Sequence, residues 1–135
     1  MKNINFILSV DSVAILITGG RGTEQSAEMF LPWLNTTCEL PSLPDKRYDH
    51  VQSGNTLCGG FYSSTQRSCL QWRQGGWATL PVTLAEKRWG SSVWGTEEGL
   101  VIMGGSGAAA RQTSETVSSD GANTVTSFKM KRPTA

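Results

Sequence analysis

The sequence predicts an all-β fold built from three repeats, each made of four short antiparallel strands. A glycine doublet closes an apolar run three times, at Gly19-Gly20, Gly59-Gly60 and Gly104-Gly105. The doublets are 40 and then 45 residues apart, a period typical of repeat architectures. The composition agrees, because 15 glycines and five tryptophans suit short strands joined by tight turns.

The middle repeat shows the four strands most clearly. Residues 48–53 and 56–58 predict a hairpin that turns at Gly54-Asn55, and residues 67–73 and 77–80 predict a second hairpin that turns at 74–76. Pro81 is expected to end the fourth strand, because proline has no N–H to donate to a neighbouring strand. Four short strands per repeat are typical of a β-propeller blade.

The flanking repeats fit the same pattern. The first begins with predicted strands over 4–10 and 13–18, and all three place a third-strand residue ten positions beyond the doublet: Phe30, Leu70 and Glu115. Cys38, Trp77 and Phe128 take the corresponding place in the fourth strand. We therefore expect a single repeat region over 1–135, with blades at about 1–43, 44–84 and 85–131. Closed propellers have four to eight blades, so three blades predict an open arc or a fragment of a larger propeller.

In these residues the chain resembles the kelch-repeat β-propellers, the superfamily that includes galactose oxidase. The doublets, Trp77, Arg47 and Arg88 match the kelch pattern, whereas Phe30, Leu70 and Cys38 depart from it. The resemblance implies that Gly19, Gly20, Gly59, Gly60, Gly104, Gly105, Trp77, Arg47 and Arg88 are structural. Both arginines are expected to bond carbonyls at blade junctions, and Trp77 is expected to lie on the bare backbone of a doublet.

The resemblance also implies a function, a non-catalytic scaffold for protein–protein interaction. Its protein partners are expected on the rim formed by the loops after the doublets, and we hypothesise that Arg21, Arg67 and Arg111 line that rim. The alternative is a fragment of a secreted propeller with carbohydrate-directed or galactose-oxidase-like activity, whose site residues lie outside this chain. The copper site of that chemistry needs more than Tyr48, Tyr62 and His50, so no catalytic residue, metal ligand or cofactor site is predicted.

Charge and hydropathy argue against other partners. Twelve basic and 11 acidic residues give a formal charge of +1, which favours no nucleic-acid partner. No apolar run reaches the roughly 18 residues that span a bilayer, so no membrane insertion is predicted. The apolar stretch over 4–10 has no cleavage site after it and is not taken as a signal peptide. A cytoplasmic and an extracellular location both stay open.

The remaining candidates are cysteines, a sequon and single aromatic residues. Cys58 is expected to pair with Cys38 or with Cys69 if a disulfide forms, and three reduced thiols are the other reading. Asn35-Thr36-Thr37 is an N-glycosylation sequon. His50 is predicted to be a packing residue with Ser91 or Ser92 as its equivalent. Among the tryptophans, Trp89 and Trp94 are expected between blades and Trp33 in an exposed turn.

Overall fold

The computed structural model describes residues 3–9, 12–96, 99–107, 110, 113–118 and 125–129. The protein is all-β, with three antiparallel sheets whose strands are hydrogen-bonded in chain order. Sheet 1 contains β1 (Asn3–Ser9), β2 (Ser12–Thr18), β3 (Ala27–Leu31) and β4 (Thr36–Glu39), with a short 3-10 helix at Pro32–Leu34. Sheet 2 contains β5 (Val51–Ser53), β6 (Thr56–Cys58), β7 (Ser68–Arg73) and β8 (Gly76–Thr83). Sheet 3 contains β9 (Ser92–Thr96), β10 (Gly99–Met103), β11 (Thr113–Ser118) and β12 (Val125–Lys129).

The predicted strands are found, but the strand predicted over 48–53 begins only at Val51, and β8 does not end where it was predicted to end. This strand continues through Pro81 to Thr83, and its pairing with β7 shifts register between Ser68 and Leu70. Proline is tolerated there because β8 is the outer strand of its sheet and pairs on one side only. The prediction that Pro81 ends the strand was therefore wrong.

The three sheets stack one after another, and each interface has its own apolar core. Between sheets 1 and 2, the core residues are Ala27, Leu43, Leu57 and Leu70. Between sheets 2 and 3, Cys58, Cys69 and neighbouring residues of sheet 2 pack against Leu100, Ile102 and Val117. The first strands of successive sheets also touch, β1 against β5 and β5 against β9. The described strands do not close into a barrel.

Alternation along the strands gives each sheet a face toward its predecessor and a face toward its successor. Leu57 packs toward sheet 1 and is fully buried, whereas its counterpart Ile17 in sheet 1 is only half-buried. At the other end, Leu16 is fully buried while its counterpart Val101 in sheet 3 is half-buried. The outer faces of sheets 1 and 3 therefore each carry a half-buried apolar residue where the inner faces carry a fully buried one.

Trp94 lies on one of these outer faces. It pairs with Val101 in register, and 67% of its surface is exposed. The expectation that Trp94 packs between blades was wrong, because no described sheet follows sheet 3.

Candidate functional site

Arg47 stands four residues before β5 and binds the loop that follows its own sheet's doublet. Its Nη1 donates to Gly59 O at 2.8 Å and Ser68 O at 3.0 Å, with a longer bond to Thr65 O at 3.4 Å. Its Nη2 donates to Ser68 Oγ at 2.6 Å. Burial lowers the pKa of Arg47 to about 10, so the guanidinium is still charged at neutral pH. Its Nε is buried and has no hydrogen-bond partner among the described residues.

Arg88 repeats this arrangement in sheet 3 and adds an ion pair. Its Nη1 donates to Gly104 O at 2.8 Å, Ala110 O at 3.1 Å and Thr113 O at 3.0 Å, and its Nη2 donates to Thr113 Oγ1 at 2.5 Å. Its Nε donates to Glu115 at 2.8 Å, and both side chains are buried. Glu115 also accepts from Ala85 N at 2.5 Å and Glu86 N at 3.1 Å. One buried carboxylate thus holds both the arginine and the segment leading to it.

The glycine doublets allow the backbone of the next arginine to come close. Gly20 N donates to Arg47 O at 3.0 Å, and Gly60 N donates to Arg88 O at 2.9 Å. A Cβ on Gly19 would lie 2.5 Å from Arg47 O, and one on Gly59 would lie 2.5 Å from Arg88 O. Both glycines also have positive φ, at 58° and 72°. The first two doublets therefore each join their sheet to the arginine that precedes the next sheet.

The residue after each arginine is aromatic and lies beside a doublet loop. Tyr48 follows Arg47, and its carbonyl accepts from Phe61 N at 3.0 Å. Trp89 follows Arg88, and its carbonyl accepts from Ser106 N at 2.9 Å. Arg21, Phe61 and Ser106 each directly follow a doublet. The repeat therefore places the residues that follow the doublets beside the residues that follow Arg47 and Arg88, along one edge of the stack.

The side chains along this edge form a continuous row, which we call the aromatic row: Arg21, Tyr48, Phe61 and Trp89. Arg21 Cζ lies 5.2 Å from the centre of the Tyr48 ring. The Tyr48 and Phe61 rings stack at 4.9 Å between centres, and Phe61 meets Trp89 edge-to-face at 6.1 Å. Tyr62 flanks the row, edge-to-face with Tyr48 at 5.4 Å. Phe61 is 44% exposed, so the row has a large apolar ring at the surface.

His50 is buried between sheets 1 and 2. Gln52 Nε2 donates to Leu16 O at 3.1 Å, which turns Gln52 Oε1 toward Thr18 Oγ1 at 2.5 Å. The Thr18 hydroxyl has one proton and donates it to Gln52 Oε1. Thr18 Oγ1 is therefore the acceptor in its other contact, and His50 Nε2 donates to it at 2.9 Å. Burial, followed by the charge of Arg47, lowers the pKa of His50 from 6.5 to about 3. A neutral histidine therefore links the two sheets.

The structure brings only one of the three hypothesised rim arginines into the aromatic row. Arg21 belongs to it, whereas Arg67 Nε donates to Leu84 O at 2.9 Å and holds the segment after β8. The counterpart of Arg67 in the first repeat is Gln25, which bonds Leu43 O at 2.9 Å in the same way. Arg111 lies outside the described residues. Arg21 directly follows its doublet, whereas Arg67 comes seven residues after Gly60, so the two arginines occupy different loop positions.

Trp77 also differs from expectation. Its Nε1 donates to Pro41 O at 2.8 Å, and its ring packs against the core between sheets 1 and 2. The atoms closest to a Cβ on Gly59 belong to Arg88, and those closest to one on Gly60 belong to Thr65, Tyr48 and His50. Trp77 therefore anchors the connection between sheets 1 and 2 instead of lying on a doublet.

Of the two partners open to Cys58, the structure pairs it with Cys69. These residues stand opposite each other on β6 and β7, at the base of the loop that carries Phe61 and Tyr62. The corresponding pairs are Thr18 with Ala27 in sheet 1 and Met103 with Ser114 in sheet 3. The disulfide thus closes only the middle loop, and Cys38 is exposed and free.

We predict that reducing this disulfide lowers the free energy of unfolding by about 3 kcal/mol, because the bond closes a loop with a sequence separation of 11. Urea unfolding with and without a phosphine reductant measures the loss, and a Cys58→Ala/Cys69→Ala variant should reproduce it. Cys38→Ser is the matched control and should leave the unfolding midpoint unchanged. Equal stability of the oxidised and reduced chain would contradict the prediction.

Two surface candidates lie in the turn between β3 and β4. Asn35 is exposed in a left-handed conformation with φ 47°, directly after the 3-10 helix. Trp33 is 51% exposed, in agreement with the sequence prediction. The sequon side chain is therefore accessible for modification.

The sequence interpretation gave no role to Glu115, Tyr48 or Phe61. The pattern that identifies Tyr48 is the Arg-aromatic pair, which recurs as Arg47-Tyr48 and Arg88-Trp89. Phe61 is identified by its place directly after a doublet. Glu115 has no such pattern, because its role depends on the pairing of β10 with β11.

Among the described residues, no three histidine, cysteine or acidic side chains are grouped so that they could hold a metal ion. No helix in the described part of the chain has the length and apolar character needed to cross a bilayer. A scan against protein-family models and a search of curated proteins both found no match to this chain.

Proposed function

We propose that the chain is a kelch-type β-propeller segment that acts as a non-catalytic scaffold for protein–protein interaction. The kelch assignment is supported by three four-stranded sheets, by doublets at equivalent places, and by Arg47 and Arg88 in matching junctions. The interaction role is supported above all by the aromatic row.

The aromatic row has the composition of a protein-binding surface. Arginine, tyrosine and tryptophan contribute most to binding energy at protein interfaces, and the row contains one of each together with Phe61. A backbone hydrogen bond holds Tyr48 against Phe61, and ring contacts connect Phe61 to both Tyr48 and Trp89. Side chains that are already ordered lose little conformational entropy when a partner binds.

The charge around the row favours recognition by shape. Arg21 lies over Tyr48, and Lys46 Nζ lies 6.0 Å from the centre of the Tyr62 ring. Glu24 places a negative charge near Lys46, and backbone hydrogen bonds, its own and that of Gly22, lower the pKa of its carboxyl. Since the two signs are mixed, a peptide with apolar side chains suits this surface better than a highly charged one.

Peptide selection tests the proposal directly. Peptides from a random display library would be selected on the immobilised chain, and their affinities measured for variants. Phe61→Ala is expected to weaken binding by about 2 kcal/mol, because Phe61 is the exposed central ring of the row. Trp94→Ala is the matched control, since Trp94 is more exposed yet lies on the outer face of sheet 3. Peptides that lose as much affinity with Trp94→Ala as with Phe61→Ala would contradict the proposal.

The second candidate is a segment of a secreted propeller with carbohydrate-directed activity. It is supported by the Cys58–Cys69 disulfide, since such bonds persist in oxidising compartments, and by the accessible sequon at Asn35. Binding of the chain to a glycan array, abolished by Phe61→Ala, would favour this candidate over the peptide scaffold.

A further inference from the structure

The outer edge of sheet 1 is an open strand. Among the described strands β4 pairs with β3 alone, and all four of its residues are exposed. The outer strand of sheet 2 differs, because β8 contains Pro81 and a register shift, two features that discourage pairing with another chain. No proline, lysine or arginine lies in β4. The outward backbone groups of β4 are therefore a template for a further strand.

The hydrogen-bonding pattern identifies the groups on this open edge. Leu40 N donates to Ala27 O at 2.9 Å, and this pair continues the register of β3 with β4. Hydrogen-bonded and non-hydrogen-bonded pairs alternate along an antiparallel ladder, so Cys38 is in a hydrogen-bonded pair with β3, whereas Thr37 and Glu39 are not. The N–H and C=O groups of Thr37 and Glu39 consequently point away from β3, toward the open edge.

Two copies of β4 complement each other in one antiparallel register. With Cys38 on the two-fold axis, the outward groups of Thr37 meet those of Glu39 in the second copy, and symmetry repeats the pair. Each carboxylate then stands opposite a threonine. A register centred on Glu39 would place two carboxylates directly opposite each other, and one centred on Thr37 would place Glu39 opposite Asn35, outside the strand.

Exposed apolar side chains adjoin this edge. Trp33 and Leu34 are 51% and 62% exposed, and they lie in the turn that leads into β4. The register centred on Cys38 brings this turn near residues 41–42 of the second copy. Removing apolar surface from water favours association, so the second copy would cover side chains that the single chain exposes.

The chain already contains the kind of pair that this register creates at Cys38. Gly59 N donates to Ser68 O at 3.0 Å, so the adjacent Cys58–Cys69 pair is non-hydrogen-bonded, and its Cα atoms are 4.1 Å apart. Those two residues form a disulfide. In the register described, Cys38 stands opposite Cys38 of the second copy in a pair of the same type, and its thiol is exposed and free.

We propose that β4 pairs with β4 of a second copy of this chain, antiparallel and centred on Cys38, and that a disulfide between the two Cys38 thiols locks the pair. A small disulfide such as oxidised glutathione accepts the two electrons and two protons, and it leaves as two thiols when the Cys38–Cys38 bond forms. The paired edge shares no residue with the aromatic row, so this proposal does not depend on the proposed function.

Oxidation of the full chain with glutathione disulfide tests the pairing. We expect a covalent dimer whose peptide masses show a Cys38–Cys38 bond, with Cys58–Cys69 intact. The matched control is Thr36→Cys/Cys38→Ser, which moves the thiol two residues along the same exposed strand. It is expected to form the dimer about tenfold more slowly, because the register places residue 36 opposite Leu40 of the second copy, too far from its own counterpart for a disulfide.

Thr37→Pro tests the strand pairing itself. Proline removes the outward N–H of Thr37 and leaves the hydrogen bonds between β3 and β4 in place, so dimer formation is expected to slow about tenfold. Thr37→Val keeps the N–H and should leave the rate unchanged. A mixed disulfide of Cys38 with glutathione in place of the dimer, or equal rates for the chain and Thr36→Cys/Cys38→Ser, would overturn the proposal. So would an undiminished rate with Thr37→Pro, and the Thr36 comparison decides the matter if Thr37→Pro does not fold.

Discussion

Arg88→Met is expected to lower the free energy of unfolding by about 3 to 5 kcal/mol, the largest loss that we predict for a single substitution. The substitution leaves the buried Glu115 carboxylate without its cation and removes the bonds to Gly104, Ala110 and Thr113. Urea unfolding followed by tryptophan fluorescence measures the loss. Glu115 then has only the backbone N–H groups of Ala85 and Glu86 as described partners.

A double variant separates the charge from the packing. Arg88→Met/Glu115→Leu removes the stranded carboxylate and places at 115 the residue type found at the corresponding position 70 of sheet 2. Buried ion pairs replaced by apolar side chains often lose little stability, so the double variant should be more stable than Arg88→Met alone. A double variant that is no more stable than the single one would show that the ion pair does not account for the loss.

Acidification from pH 7.5 to pH 5.0 is expected to lower stability by about 2 kcal/mol through His50. The unfolded chain binds this proton with a pKa near 6.5, while burial lowers the pKa of the folded histidine to about 3. Between these values the unfolded state binds more protons than the folded state. The contribution of His50 to the free energy of unfolding is therefore fully present above pH 6.5 and is lost progressively as the pH falls toward 3.

The chain offers a clean control for this titration, because His50 is its only histidine. His50→Ser places at this position the residue that Ser91 provides in the next repeat. The variant should lose the pH dependence between 5.0 and 7.5, whatever its absolute stability. If the variant kept the full decline in stability between pH 7.5 and pH 5.0, that decline would come from groups other than His50.

Much of the fold followed from local sequence patterns. Apolar runs ending in glycine doublets marked β2, β6 and β10, and the turns around 54–55 and 74–76 marked the two hairpins of sheet 2. Arg47 and Arg88 were expected at junctions from the resemblance to kelch repeats. These features could be predicted because each depends on a few consecutive residues with fixed backbone requirements.

Features that depend on loop length or on neighbouring sheets could not be predicted in the same way. Counting ten residues from each doublet aligned Phe30 with Glu115, but strand pairing makes Glu28 the counterpart, because the first loop is shorter. The exposure of Trp94 depends on whether another sheet covers its face. The aromatic row combines residues from three repeats, so no single repeat shows it.

Hydrogen exchange on the chain bound to a library-selected peptide tests most directly whether the aromatic row is the interaction surface. We predict slower exchange at residues 20–22, 48–50, 61–62 and 89–90, where the row and its backbone hydrogen bonds lie. Protection confined to the outer strand β4, with no change in these four segments, would contradict the proposed function.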